Sequence, residues 1–140
     1  MFFSLEAVKA KKGDCLLVHY GTEDDPTLIL VDGGPSGVYR DHLQKRLNVL
    51  RIERDERAAL PIDLLMVSHI DDDHIKGVLD LTRELRDQKQ GKQKPSYKIQ
   101  SLWHNSFDDI VNNHTDLLTT AAREHIGEAA LSGEIGRAHV

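Results

Sequence analysis

The chain has 140 residues, 39% of them apolar, and a formal net charge of −5. That length fits one domain, and the mild acidity excludes broad electrostatic steering toward nucleic acid while leaving room for a local basic groove. The single cysteine, Cys15, rules out an internal disulfide and suits a reducing compartment. The opening MFFSLEAVKAKKG lacks a signal-peptide layout, because Glu6 and Lys9 interrupt its apolar segment. No run is long enough to span a bilayer, so the expected location is cytoplasmic.

In chain order, residues 2–9 alternate loosely and are predicted as an edge strand, followed by a turn from Lys11 to Asp14 with Gly13 as its flexible element. Cys15 to Tyr20 reads as a second strand closed by Gly21. Glu23 to Pro26 reads as a polar hairpin loop, and Thr27 to Val31 as a third strand ended by Asp32-Gly33-Gly34-Pro35. Short strands joined by tight turns predict an antiparallel meander. From Tyr39 to about Leu60 the period changes: Leu43, Leu47, Leu50 and Ile52 are spaced mostly for one helix face, and Pro61 marks its end. Ile62 to Ser68 is predicted as a strand and Ile75 to Leu85 as a helix. Arg86 to Ser96 is predicted as a polar surface loop, Tyr97 to Trp103 as a strand, and Asp108 onward as helical. This order predicts an α/β (α+β) fold: a mixed sheet with helices on one face. Its opposite face has nothing in this sequence to cover it, although layered folds demand a cover.

The apolar run Leu64-Leu65-Met66-Val67-Ser68 gives way abruptly to His69-Ile70-Asp71-Asp72-Asp73-His74. Polar groups just past a strand end sit at the rim of a sheet, where α/β proteins build sites. Imidazole and carboxylate together are the ligand set for zinc, iron or manganese. In an extended segment residues 69, 71 and 73 share one side, and His74 would open the next helix. His69, Asp71, Asp73 and His74 then suffice for partial shells around two cations that activate water. The plain alternative is a solvated acidic turn in which Asp72 or Asp73 caps the helix. It leaves two histidines directly after an apolar strand unexplained.

The segment resembles the signature of the metallo-β-lactamase superfamily, His-x-His-x-Asp-His, with Asp71 where the second histidine is usual. The variant His-x-Asp-x-Asp-His is similar to the soluble hydrolase domain of ComEC/Rec2-like proteins. Lys12-Gly13-Asp14-Cys15-Leu16-Leu17-Val18 is similar to that group's Gly-Asp strand. Leu28-Ile29-Leu30-Val31-Asp32-Gly33-Gly34 is similar to its strand ending in Asp-Gly-Gly, and Trp103-His104-Asn105-Ser106 fits the end of the next. The resemblance spans about residues 1 to 110. It implies that His69 and Asp71 bind one metal and Asp73 and His74 a second, with Asp73 and His74 at the catalytic centre. Asp32 would fix the ligand loop through hydrogen bonds. Two divalent ions are implied, zinc first. The oxygen ligand Asp71 makes the site harder, which would favour manganese or iron.

Other readings stay open. Asp32 also fits ordinary Asp-Gly-Gly turn chemistry, and Asp14 is either a turn residue or a site residue. His104 either faces the substrate or packs beside Trp103. Cys15 is expected in the core; His19, His42, His114 and His125 are expected on the surface or on helices. The family's remaining ligands have no counterpart in spacing after His104, and Glu134-Ile135-Gly136-Arg137-Ala138-His139-Val140 looks foreign to the domain. The expected organisation is therefore the N-terminal half of an αββα sandwich over residues 1–133, followed by a non-native tail. Such a half sandwich would leave an apolar sheet face in water and be poorly soluble and nearly inactive. The expected function is a metal-dependent hydrolase acting on an ester-type bond, with a phosphodiester of nucleic acid or a nucleotide as the leading substrate. A lactonase or thioesterase, or a non-catalytic metal- or partner-binding module, are the alternatives. Oligomeric state is left open.

Overall fold

The computed structural model of the chain describes residues 1–54 and 58–104. Its elements are β1 (Phe2–Ala7), β2 (Leu16–Gly21), β3 (Pro26–Val31), a π-helical turn (Tyr39–Leu43) leading into α1 (Gln44–Glu53), β4 (Leu60–Ile62), β5 (Leu64–Val67), α2 (Asp72–Gln90), β6 (Tyr97–Ile99) and β7 (Leu102–His104). Strands β1, β2 and β3 form the expected antiparallel meander. Strand β5 then joins β3 in parallel and β7 joins β5 in parallel, giving the sheet order β1-β2-β3-β5-β7. A separate parallel pair, β4 with β6, lies beside it. The result is a mixed sheet with both helices on one face.

Side-chain alternation explains which face that is. Leu17, Leu28, Leu30, Leu65 and Val67 point inward and are buried with Leu43, Leu47, Val78, Leu81 and Leu85 of the helical layer. Full burial of such a side chain contributes roughly 1.5–3 kcal/mol. The other face carries Phe3, Leu5, Val18, Ile29, Leu64, Met66 and Trp103 in cross-strand rows. Phe3 stays 73% and Leu5 60% exposed. Among the described residues nothing packs on that face.

Several boundaries differ from the sequence expectation. The strand expected over Ile62 to Ser68 divides into β4 and β5, and the one over Tyr97 to Trp103 into β6 and β7. Asp63 makes the first corner. Its N–H donates to Leu28 O at 2.8 Å while its carboxylate accepts the Leu28 N–H at 2.9 Å. Helix α1 stops at Glu53, so Pro61 lies inside β4 rather than ending a helix, and Ile52 faces outward, 76% exposed. Helix α2 starts earlier and ends later than expected. Its Arg, Gln and Lys residues after Leu85 are good helix formers, and Gln88 ties the far end by donating to Ser96 Oγ at 2.8 Å and accepting the Ser96 N–H at 2.8 Å. His19 is not a surface residue: it sits on the inward face of β2, buried between Glu6 and Arg54. The helix expected from Asp108, His114 and His125, and the tail 134–140 lie outside the described residues.

Candidate metal centre

Because β3 and β5 are parallel neighbours, their C-terminal ends lie side by side, with Val31 opposite Met66. Asp32 and the Ser68–His69 pair therefore emerge together at one edge of the sheet. Asp32 takes a left-handed backbone (φ 57°), a conformation that aspartate tolerates better than most residues. Its N–H stays tied to Met66 O at 2.8 Å.

Helix α2 returns to the same edge. Asp71 is its N-cap but makes no side-chain capping bond. Its carbonyl takes the first helical N–H groups, those of His74 and Ile75, at 2.9 and 3.0 Å. Its carboxylate is thus left for other work, and the N-cap position falls on Asp71 rather than on Asp72 or Asp73. Asp72 and Asp73 lie in the first turn, where negative charge suits the helix dipole. Asp72 points away from the cluster and pairs with Lys76 at 3.3 Å. The first turns dock on the Asp32-Gly33-Gly34 loop backbone to backbone: Gly33 N–H donates to His74 O at 2.7 Å, and Gly77 N–H to Gly34 O at 3.0 Å. On the other side the Lys11–Asp14 loop abuts Asp73, since a Cβ on Gly13 would fall 1.9 Å from the Asp73 carbonyl oxygen.

These supports converge the side chains. The ligand atoms of His69, Asp71 and Asp73 all lie within 4.8 Å of one another, and so do those of Asp32, His69 and His74. His69 is common to both groups. Its ring lies 3.6 Å from that of His74, centre to centre, at an angle of 44°. His69 Nε2 faces Asp71 Oδ2 at 3.8 Å, and His74 Nε2 faces Asp73 Oδ2 at 3.5 Å. His69 and Asp71 are exposed, Asp73 is half-buried and His74 is buried.

Beneath them Asp32, 1% exposed, accepts three hydrogen bonds. Ser68 N–H donates to Oδ1 at 2.7 Å, Ser68 Oγ–H to Oδ2 at 2.5 Å and His74 Nδ1–H to Oδ2 at 3.0 Å. Burial works against a charge on His74. The hydrogen bond to Asp32 and the negative charges of Asp32, Asp73 and Asp14 outweigh it, holding the imidazole pKa above its ordinary value. Asp14 contributes from 3.8 Å. Burial, and then the charge of Asp32, push the Cys15 thiol up to about 12, so this core cysteine is no nucleophile.

The structure thus brings His69, Asp71, Asp73 and His74 together, with Asp32 below them. His104 ends β7 in register with Val67 and joins neither ligand group. Sequence reasoning missed Ser68, whose signal was its place immediately before the first histidine. It also missed Gly77, which looked like any glycine in a helical stretch. No helix among the described residues is long and apolar enough to cross a membrane. Among known families, the model of the metallo-beta-lactamase superfamily matches residues 10–118. No curated protein and no solved structure matches the chain.

Proposed function

Because the chain belongs to the metallo-beta-lactamase superfamily, a fold associated with metal-dependent hydrolysis, we propose that it is a hydrolase working with two divalent cations at the His69–His74 cluster. The observation that carries this reading is the convergence of two imidazoles and three carboxylates: the ligand atoms of Asp32, His69 and His74 lie within 4.8 Å of one another, and so do those of His69, Asp71 and Asp73. Nitrogen and carboxylate oxygen together fit zinc, and the oxygen-rich share fits manganese or iron. Bound there, such cations would lower the pKa of water and polarise the bond under attack. His69 and Asp71 would hold one, Asp73 and His74 the other. Asp73 and His74 would stand nearest the chemistry, and Asp32 would orient the ligands from below.

The substrate we favour is an anionic ester, a phosphodiester of a nucleotide or nucleic acid, as in the ComEC/Rec2-like group whose His-x-Asp-x-Asp-His variant this chain shares. Lys11 and Lys12 support it. They are exposed on the loop that abuts Asp73 and have no ion-pair partner among the described residues. His104, at the same strand-end edge, is a candidate substrate contact. A cytoplasmic setting suits the free thiol of Cys15.

The test is turnover of bis(4-nitrophenyl) phosphate against model lactone and thioester substrates, with the protein loaded in turn with zinc and manganese. Weak phosphodiester cleavage, above the metal-free background and abolished by His74→Ala and Asp73→Asn, is the expected result. Preferential lactone or thioester cleavage would reassign the substrate. Metal uptake without turnover on any of the three would reduce the protein to a binding module.

A further inference from the structure

We propose that Ser68 is a positioning residue: its hydroxyl passes the hold of Asp32 on to His69, so that one buried carboxylate sets the tautomer of both histidines and turns both Nε2 lone pairs toward the cluster. The number of available protons decides the tautomers. A carboxylate only accepts hydrogen bonds, and a serine hydroxyl has a single proton to give. The 2.5 Å contact from Ser68 Oγ to Asp32 Oδ2 consumes that proton. Ser68 Oγ lies 2.9 Å from His69 Nδ1, and with its proton spent it can only accept there. His69 must therefore carry its own proton on Nδ1, which leaves Nε2 as the lone-pair nitrogen, the atom that faces Asp71. The same logic applied to Asp32 and His74, at 3.0 Å, places a proton on His74 Nδ1. Its Nε2, facing Asp73, is then the nitrogen left to bind a cation.

Geometry keeps the relay in place. Ser68 grips both oxygens of Asp32, the backbone N–H on Oδ1 at 2.7 Å and the hydroxyl on Oδ2. Its hydroxyl is therefore held by its own main chain. Asp32 is 1% exposed, so bulk water does not compete for these bonds. His69 itself is exposed, and a free imidazole side chain prefers the opposite tautomer, with the proton on Nε2. Without Ser68, nothing else among the described contacts of His69 would hold Nδ1–H. The benefit to metal binding rests on the reading of the cluster given above, whereas the tautomer assignment stands without it.

The test uses the full chain with 15N-labelled imidazoles, metal-free, at a pH high enough that the nitrogen shifts show both rings neutral. Long-range proton–nitrogen correlation spectra distinguish Nδ1–H from Nε2–H. His69 and His74 are both expected as Nδ1–H. Ser68→Ala should move His69 toward Nε2–H and leave His74 as it is, and Ser68→Thr, which keeps the hydroxyl, should retain the native pattern. Titration with zinc alone should show Ser68→Ala binding about 10-fold more weakly or worse, with Ser68→Thr recovering most of the loss. A native His69 in the Nε2–H form, or one indifferent to Ser68→Ala, overturns the relay. A tautomer change without a loss of zinc affinity overturns its role in positioning a ligand. Absence of zinc binding by the native chain overturns the metal reading and that role with it, while the spectra still decide the tautomer.

Discussion

Gly33 and Gly77 meet backbone to backbone: a Cβ on Gly77 would lie 1.9 Å from Gly33 O, and one on Gly33 would lie 2.3 Å from Val78 N. This contact sets how closely α2 approaches the loop after β3. It therefore sets where His74 stands relative to Asp32. In a helix interior, glycine to alanine ordinarily stabilises by about 0.5–1 kcal/mol. Here the methyl has no room, and the neighbour is backbone that cannot rotate aside. Gly77→Ala should cost roughly 1–3 kcal/mol, the usual range for overpacking, and should lower zinc affinity as His74 shifts. Urea denaturation and a zinc titration check both. An unchanged or raised unfolding midpoint would contradict the contact.

His19 should make stability sensitive to mild acid. Burial first, and then the charges of Arg54 and Arg46, lower its pKa against the opposing pull of Glu6. In the unfolded chain the same group titrates near about 6.5. Between that value and the lowered folded one, the unfolded state binds more protons, so stability falls as pH falls. The contribution is present above the unfolded pKa and is lost as pH drops through the folded one. The measurement is urea midpoints of the native chain and His19→Gln from about pH 7.5 down to pH 5. The native chain should lose more stability over that window. Parallel curves for the two proteins would refute the assignment.

The sheet face on which none of the described residues packs should drive association. Phe3, Leu5, Tyr20 and Trp103 all point from it into solvent, each more than two-fifths exposed, and apolar patches of this kind seek partners. The paired change Phe3→Glu and Leu5→Lys should lower concentration-dependent light scattering. It should alter the unfolding midpoint by no more than surface substitutions do, about 0.5 kcal/mol each way. Undiminished scattering would move the cause of association elsewhere.

How much of this was legible in the sequence can be read from individual elements. The meander was, because β1, β2 and β3 are short alternating runs punctuated by Gly13, Gly21 and Asp32-Gly33-Gly34, and those are local signals. The strand boundaries around Asp63 were not. Leu60 to Val67 is apolar but for Asp63, and only the side-chain and backbone bonds between Asp63 and Leu28 break it into strands of two sheets. The burial of His19 was hidden too, because a histidine in an alternating strand gives no sign of which face will meet a helix.

The local sequence alone determined that imidazoles and carboxylates crowd into six positions after a buried strand, since ligand type and spacing are properties of the chain itself. The family resemblance pointed to Asp32 as the residue that fixes the ligand loop, and tertiary structure decided that, from some forty residues before His74, it grips Ser68 and His74 together. That follows from the parallel pairing of β3 with β5 and the glycine contact that seats α2. Pairing partners and close backbone approaches are long-range choices, settled by which apolar faces bury one another, and they leave no mark at any single position.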